Sequence, residues 1–133
     1  MKKELKVGDK ASRSKMFTDD DVKKFAEVST DKNPIHLDEK YAQNTIFKQR
    51  IVHGMLVGSL FSGILGCDLP GEGTIYMGQT LSFKAPVPLN EKVTATVELV
   101  SMRTDKPIAT FKTTCVDSKG KVVIEGEATV RVP

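Results

Sequence analysis

The sequence runs to 133 residues and 14.6 kDa, which is room for one ordinary domain spanning 1–133. Its 39% hydrophobic and 28% charged residues exclude a disordered chain. A net charge of only +3 and the lack of tryptophan argue against a nucleic-acid partner.

The basic start, Met1 to Lys6, is followed by no apolar run, so a cytoplasmic protein without a secretion signal is expected. Gly8-Asp9 reads as a turn and Ala11 to Phe17 as an edge strand. Thr18 then caps a helix, Asp21 at its third position reaches back to complete a capping box, and the acids Asp19 to Asp21 suit the positive end of the helix dipole. Val22, Phe25 and Ala26 form its buried face. Pro34 disfavours helical backbone at Asn33 and stops it, and Asp38 to Thr45 reads as a second, short helix.

Residues 51–83 hold no lysine or arginine, a stretch expected deep in the fold or in an interface. Within it, Gly54 to Leu65 reads as a central helix, apolar on most sides, with small residues Gly58, Ser59, Ser62 and Gly63 permitting close approach. The apolar run Ile51 to Gly66 has 16 residues, short of the roughly 20 a membrane span needs, so no membrane partner is expected. From Thr74 the period changes to two. Strands are expected over 81–87, 93–99, 109–115 and 122–132, with turns at 89–91, 105–107 and 118–120. The class is α+β, an antiparallel sheet wrapped around one apolar helix.

Two cysteines without a CxxC pair, Cys67 and Cys115, read as small buried hydrophobes and supply no zinc site. The chemistry gathers in Asp31-Lys32-Asn33-Pro34-Ile35-His36. A separation of five puts two side chains about 140° apart on a helix, whereas a Pro-fixed turn can bring a carboxylate and an imidazole onto one water. The plainer alternative has Asp31 capping a helix end and His36 on a surface loop.

The segment from Phe25 through Ser29-Thr30-Asp31-Lys32-Asn33-Pro34-Ile35-His36 to Ala42 resembles the signature of the MaoC-like (R)-specific enoyl-CoA hydratases. Val52-His53-Gly54-Met55 and Ser82-Phe83-Lys84-Ala85-Pro86-Val87 look like the same family, and the resemblance extends along the chain. It is nearest the short bacterial hydratases of polyhydroxyalkanoate synthesis. One departure is Thr30, where the family usually has glycine; a β-branched residue resists positive φ.

The resemblance implies a hot-dog fold, a homodimer joined sheet edge to sheet edge, and reversible syn hydration of a trans-2-enoyl-CoA. It implies an acyl-CoA substrate and no metal or redox cofactor. Carried over, Asp31 and His36 are the catalytic pair, Asn33 orients their loop and the Gly54 N–H meets the thioester oxygen. Ser62 points at the substrate carbonyl region or the catalytic loop, while Leu65 and Val130 bound the acyl pocket and are large enough to close its far end, so short-chain substrates are expected. Each has a plainer reading: Gly54 as a helix start, Ser62 as a packing device, Leu65 and Val130 as core. His53 reads first as a helix-start histidine bonded to backbone. Lys84, Arg103 and Lys106 are candidates for the CoA phosphates. The rivals are a hot-dog thioesterase, an acyl-carrier-protein dehydratase and a non-catalytic acyl-CoA-binding module. Residues 54–66 hold no Asp, Glu, His or Cys, which counts against the thioesterase.

Overall fold

The structure, a computed structural model, describes residues 4–133. Strand β1 (Lys10–Met16) leads into α1 (Asp19–Ser29), two short helices α2 (Pro34–Leu37) and α3 (Glu39–Gln43), and the long α4 (Gly54–Cys67). Strands β2 (Ile75–Gln79), β3 (Ser82–Phe83), β4 (Lys92–Met102), β5 (Ile108–Val116) and β6 (Val122–Arg131) follow. The sheet order is β1-β4-β5-β6-β2, every pairing antiparallel, with β3 also on β6.

Alternation drives the sheet. On β4, Val93, Ala95, Val97 and Leu99 are buried; on β5, Ala109, Phe111, Thr113 and Cys115. All of these but Thr113, which is bonded to Gln79, join Val57, Phe61, Ile64 and Leu65 of α4 in one core. Burial of this kind, at roughly 25 cal/mol per Å² of apolar surface, is what holds helix to sheet. The thiol of Cys115 is pushed up to about 12 by burial and is inert.

The expected capping box at the start of α1 is present: Thr18 Oγ1 accepts from the Asp21 N–H, and Asp21 reaches back to the Thr18 N–H. Arg13 on β1 makes a two-pronged pair with Asp68 at the end of α4, which holds that carboxyl below its usual range.

Three expectations need correction. The alternation over 81–87 forms only the two-residue β3; Pro86 and Pro88 have no N–H to give a ladder. Residues 83–87 instead wall a cavity. Ahead of β3, the longer strand β2 also pairs with β6. Cys67 is exposed rather than buried, because it ends α4 beside Asp68. The central helix is covered on one face alone: Met55, Ser59 and Ser62 are exposed in the single chain.

Candidate active site

Helix α1 ends at Ser29, and Thr30 turns the chain with φ 67° and ψ 6°. This left-handed turn is the one that glycine usually makes at a helix end. The loop beyond it is tied by its own side chains. The Asp31 N–H donates to Ser29 Oγ (3.1 Å), and the Asn33 N–H donates to Asp31 Oδ1 (3.2 Å). Asn33 Oδ1 then accepts from the Ile35 N–H (3.3 Å) and caps α2. Asn33 thus ties the loop to the start of α2, and among the described residues Asp31 Oδ2 accepts no hydrogen bond.

His36 rides on α2 and is 8% exposed. Its Nδ1 lies 2.7 Å from the Ile51 carbonyl. A carbonyl only accepts, so Nδ1 carries the proton and Nε2 offers a lone pair. Burial is the main cause that holds the His36 imidazole below its ordinary value, partly countered by the bond to Ile51. The side chain is therefore a neutral acceptor near pH 7. Its Nε2 stands 3.9 Å from Asp31 Oδ2. That gap is too long for a direct hydrogen bond, but one water can span it with bonds of about 2.8 Å.

The two acceptors face a cavity of about 610 Å³. Phe25, Phe47, Met55, Val57 and Phe83 make most of it apolar, and Gly54 forms part of its wall. Gly54 opens α4, and among the described residues its N–H has no partner. A free N–H at a helix N-terminus favours developing negative charge. A β-carbon at Gly54 would lie 2.7 Å from ring carbons of Phe83, so this close approach requires glycine.

Asp31, His36 and Gly54 are thus brought to one cavity, with Asn33 bonded to the Asp31 carboxylate behind it. Ser62 is exposed and lines a neighbouring cavity of about 590 Å³, which shares Phe25 and Met55 with the first. Leu65 and Val130 are fully buried core and line neither cavity. Lys84 lines the Asp31 cavity; Arg103 is instead paired with Asp105.

Sequence reasoning missed Arg50 and Ile51, and missed which carbonyl His53 would bond. Arg50 Nε–H donates to the His36 carbonyl (2.7 Å), and its guanidinium sits 2.7 Å from Asp19 of α1. Ile51 accepts from the His36 ring and donates its N–H to the Ile35 carbonyl. His53 Nε2 lies 3.0 Å from the Asp31 carbonyl. A charged residue and a histidine flanking an apolar pair, just before a helix, were the available signal.

Asp31, His36 and His53 each place a potential ligand atom within 4.8 Å of the others. The rings of His36 and His53 are stacked, 3.8 Å between centroids and 24° between planes. A metal lies in the plane of each ligating ring, about 2.1 Å from nitrogen. Planes so nearly parallel meet far beyond that reach, so both rings cannot hold one ion in this arrangement.

Residues 3–120 match the model of the MaoC-like domain. This chain belongs to that family. An (R)-specific enoyl-CoA hydratase of Aeromonas caviae is 52% identical over 129 residues, 97% of this chain and 96% of the relative. One from Rhodospirillum rubrum is 51% identical over 130 residues, 98% of this chain and 90% of the relative. The solved structure of an A. caviae (R)-hydratase involved in PHA biosynthesis superposes with a TM-score of 0.96, at 52% identity, over 97% of this chain and 98% of that one. The hot-dog fold expected for a MaoC-like chain is therefore established.

Proposed function

We propose that this protein is an (R)-specific enoyl-CoA hydratase, adding water reversibly to a short trans-2-enoyl-CoA to give the (R)-3-hydroxyacyl-CoA. The observation that carries it is the pair of acceptors, Asp31 Oδ2 and His36 Nε2, 3.9 Å apart in a cavity that also presents the Gly54 N–H. The activity named for the two bacterial relatives supports the same reading.

A water held between the two acceptors donates one hydrogen to each and keeps a lone pair for C3. As the C3–O bond forms, Asp31 takes one proton while the O–H that remains donates to His36 Nε2 and holds the oxygen in place. The electrons of the C2=C3 bond move to the thioester oxygen, and the Gly54 N–H meets that charge. The proton then returns from the Asp31–His36 side to C2, the C2–H bond forms and the base is restored. Removal and delivery from one face make the addition syn. No step calls for a metal or redox cofactor. Beyond the reacting atoms, the acyl chain runs past Phe25 and Met55 toward Ser62. Val130 is the register partner of the lining residue Tyr76 across β2 and β6, which sets it beside that second cavity.

The working unit is a homodimer. Ile75, Tyr76 and Met77 lie exposed on the edge strand β2, and Met55 on the bare face of α4. Unpaired apolar edges are covered or joined in stable proteins. An unpaired thiol on the surface, at Cys67, and an acyl-CoA substrate suit the cytoplasm. Among the described residues no helix is long and apolar enough to cross a membrane.

Crotonyl-CoA tests the reading. Loss of the enoyl thioester absorbance without free thiol, with a product oxidised by an (R)- but not an (S)-specific dehydrogenase, is the expected result. Free thiol would mean a thioesterase. Binding without turnover would mean an acyl-CoA module. Turnover confined to the acyl-carrier-protein thioester would mean a carrier-protein dehydratase.

A further inference from the structure

We propose that His53 is a positioning residue for the hydration, fixing Asp31 and the His36 ring relative to the Gly54 N–H. The inference rests on the hydratase reading and extends it to a residue that touches neither water nor thioester in the mechanism.

Position 53 is the N-cap of α4, where Ser, Thr, Asp or Asn would bond the first free N–H groups. His53 makes no such bond. Its side chain turns instead to the catalytic loop and donates Nε2–H to the Asp31 carbonyl at 3.0 Å. Its ring stacks on His36 at 3.8 Å and receives the edge of Phe25 at 4.8 Å. The side chain is 2% exposed, and its Nδ1 is buried without a partner among the described residues. A proton on Nδ1 would be orphaned, so the surroundings favour the Nε2–H form that holds Asp31. The residue that follows is Gly54. One ring therefore connects the base, the water-holding imidazole and the oxyanion donor. The Asp31 backbone has no other bond to α4 among the described residues.

The charged and titratable groups facing His36 are His53 from the N-cap of α4, Asp31 from the loop and Arg50, which holds its carbonyl. Both His53 and Arg50 oppose a charge on His36, and Asp31 favours one. Removing His53 takes away a restraint on the loop as well as one opposing group.

The chain has two histidines, so imidazole nitrogen NMR of the whole protein resolves both. The expected spectrum shows His36 protonated at Nδ1 and His53 at Nε2, with the His53 proton protected from solvent exchange. A proton on His53 Nδ1, or free exchange at Nε2, would overturn the inference whether or not the enzyme turns over. In kinetics with crotonyl-CoA, His53→Phe keeps the stacked ring and loses the donor. It should lower kcat about 10–100-fold, the scale on which small misplacements act, with KM within about twofold. His53→Gln restores an N–H for Asp31 and should recover most of the loss. A parent rate in the Phe variant, or equal losses in both variants with equally lowered melting temperatures, would reduce His53 to packing. An inactive parent would sink the hydratase reading, leaving the NMR result to decide this one.

Discussion

Between Val93 and Val130 every buried side chain is apolar except Thr113, and most follow from alternation along a strand. Between Ser29 and Gly54 the buried side chains are His36, Ala42, Val52 and His53, and no period connects them. The sheet half is specified by a pattern any neighbour could extend. The loop half is specified by individual bonds between residues 15 to 22 apart, such as His36 to Ile51 and Asp31 to His53. Packing energy sits in the first region and chemistry in the second, so substitutions should separate them.

The largest effect belongs to the loop half. Asp31→Asn and His36→Gln should each lower hydration by about 10²–10⁴-fold, the usual contribution of an acid–base group. Asp31 is exposed, so the Asn variant should melt as the parent does. Crotonyl-CoA turnover beside a thermal melt measures both; near-normal turnover with a normal melt would move the chemistry elsewhere.

The sheet half should answer in the opposite currency. Phe111→Ala opens the core and should cost about 3–5 kcal/mol of stability, while the molecules that remain folded keep their kcat. Leu65→Ala joins the two regions. It should lose about 2–5 kcal/mol as a core truncation. If it also backs the acyl cavity, its kcat/KM ratio for C8 over C4 substrates rises, because each buried methylene is worth about 0.8 kcal/mol. A lower melting temperature with an unchanged C8/C4 ratio would confine Leu65 to packing.

Gly54→Ala comes next. The helix start and its N–H survive, but the methyl group meets the Phe83 ring at 2.7 Å. Phe83 is half exposed and can swing aside, so stability should change little. The displaced ring then crowds the thioester, and kcat/KM should fall about tenfold, equal to roughly 1.4 kcal/mol of barrier. An unchanged kcat/KM would remove the thioester from this corner.

The pH response is smaller and its sign is fixed by His36. Burial lowers its folded value below the unfolded value of about 6.5. As pH falls below about 6.5 the unfolded chain takes up the proton first, so stability declines with acid until the folded pKa is passed. Above 6.5 this contribution is fully present. Turnover should fall on the acid side with an apparent pKa below 6.5, since a protonated Nε2 no longer accepts from the water. An acid limb above 6.5, or melting temperatures that rise as pH drops from 7 to 6, would contradict the neutral imidazole.

The legibility of the sequence followed the same division. Strands β4, β5 and β6, their turns, helix α4 and the capping box at Thr18 were readable because each depends on neighbours or on a short period. The Asp31–His36 pair was readable as a motif, and Pro34 with Asn33 gave the turn that joins it. Arg50, Ile51 and the full part played by His53 were not, since they act across 14 to 22 residues of chain. The segment 81–87 was misread because alternation marks one face against another and says nothing of whether a proline interrupts the ladder. Leu65 and Val130 appear among the core side chains because apolar lining and apolar core look alike in sequence.

Thr30 gives the smallest and most pointed test. Its φ of 67° places a β-branched residue in the left-handed region, where the side chain crowds the backbone. The conformation is the one that ends α1 and aims Asp31 at the cavity, so the loop is retained against the residue's own preference. Left-handed backbone costs an L-residue about 1–2 kcal/mol, and glycine returns part of that through the greater freedom of its unfolded chain. Thr30→Gly should therefore stabilise the protein by about 0.5–1 kcal/mol, a rise of a few degrees in melting temperature for a domain of this size. Hydratase activity should stay within about twofold, because the loop already has the shape that glycine would give it. A lower melting temperature would mean that Thr30 makes contacts worth more than its strain. A large gain in kcat would mean that the strain had been holding Asp31 out of line.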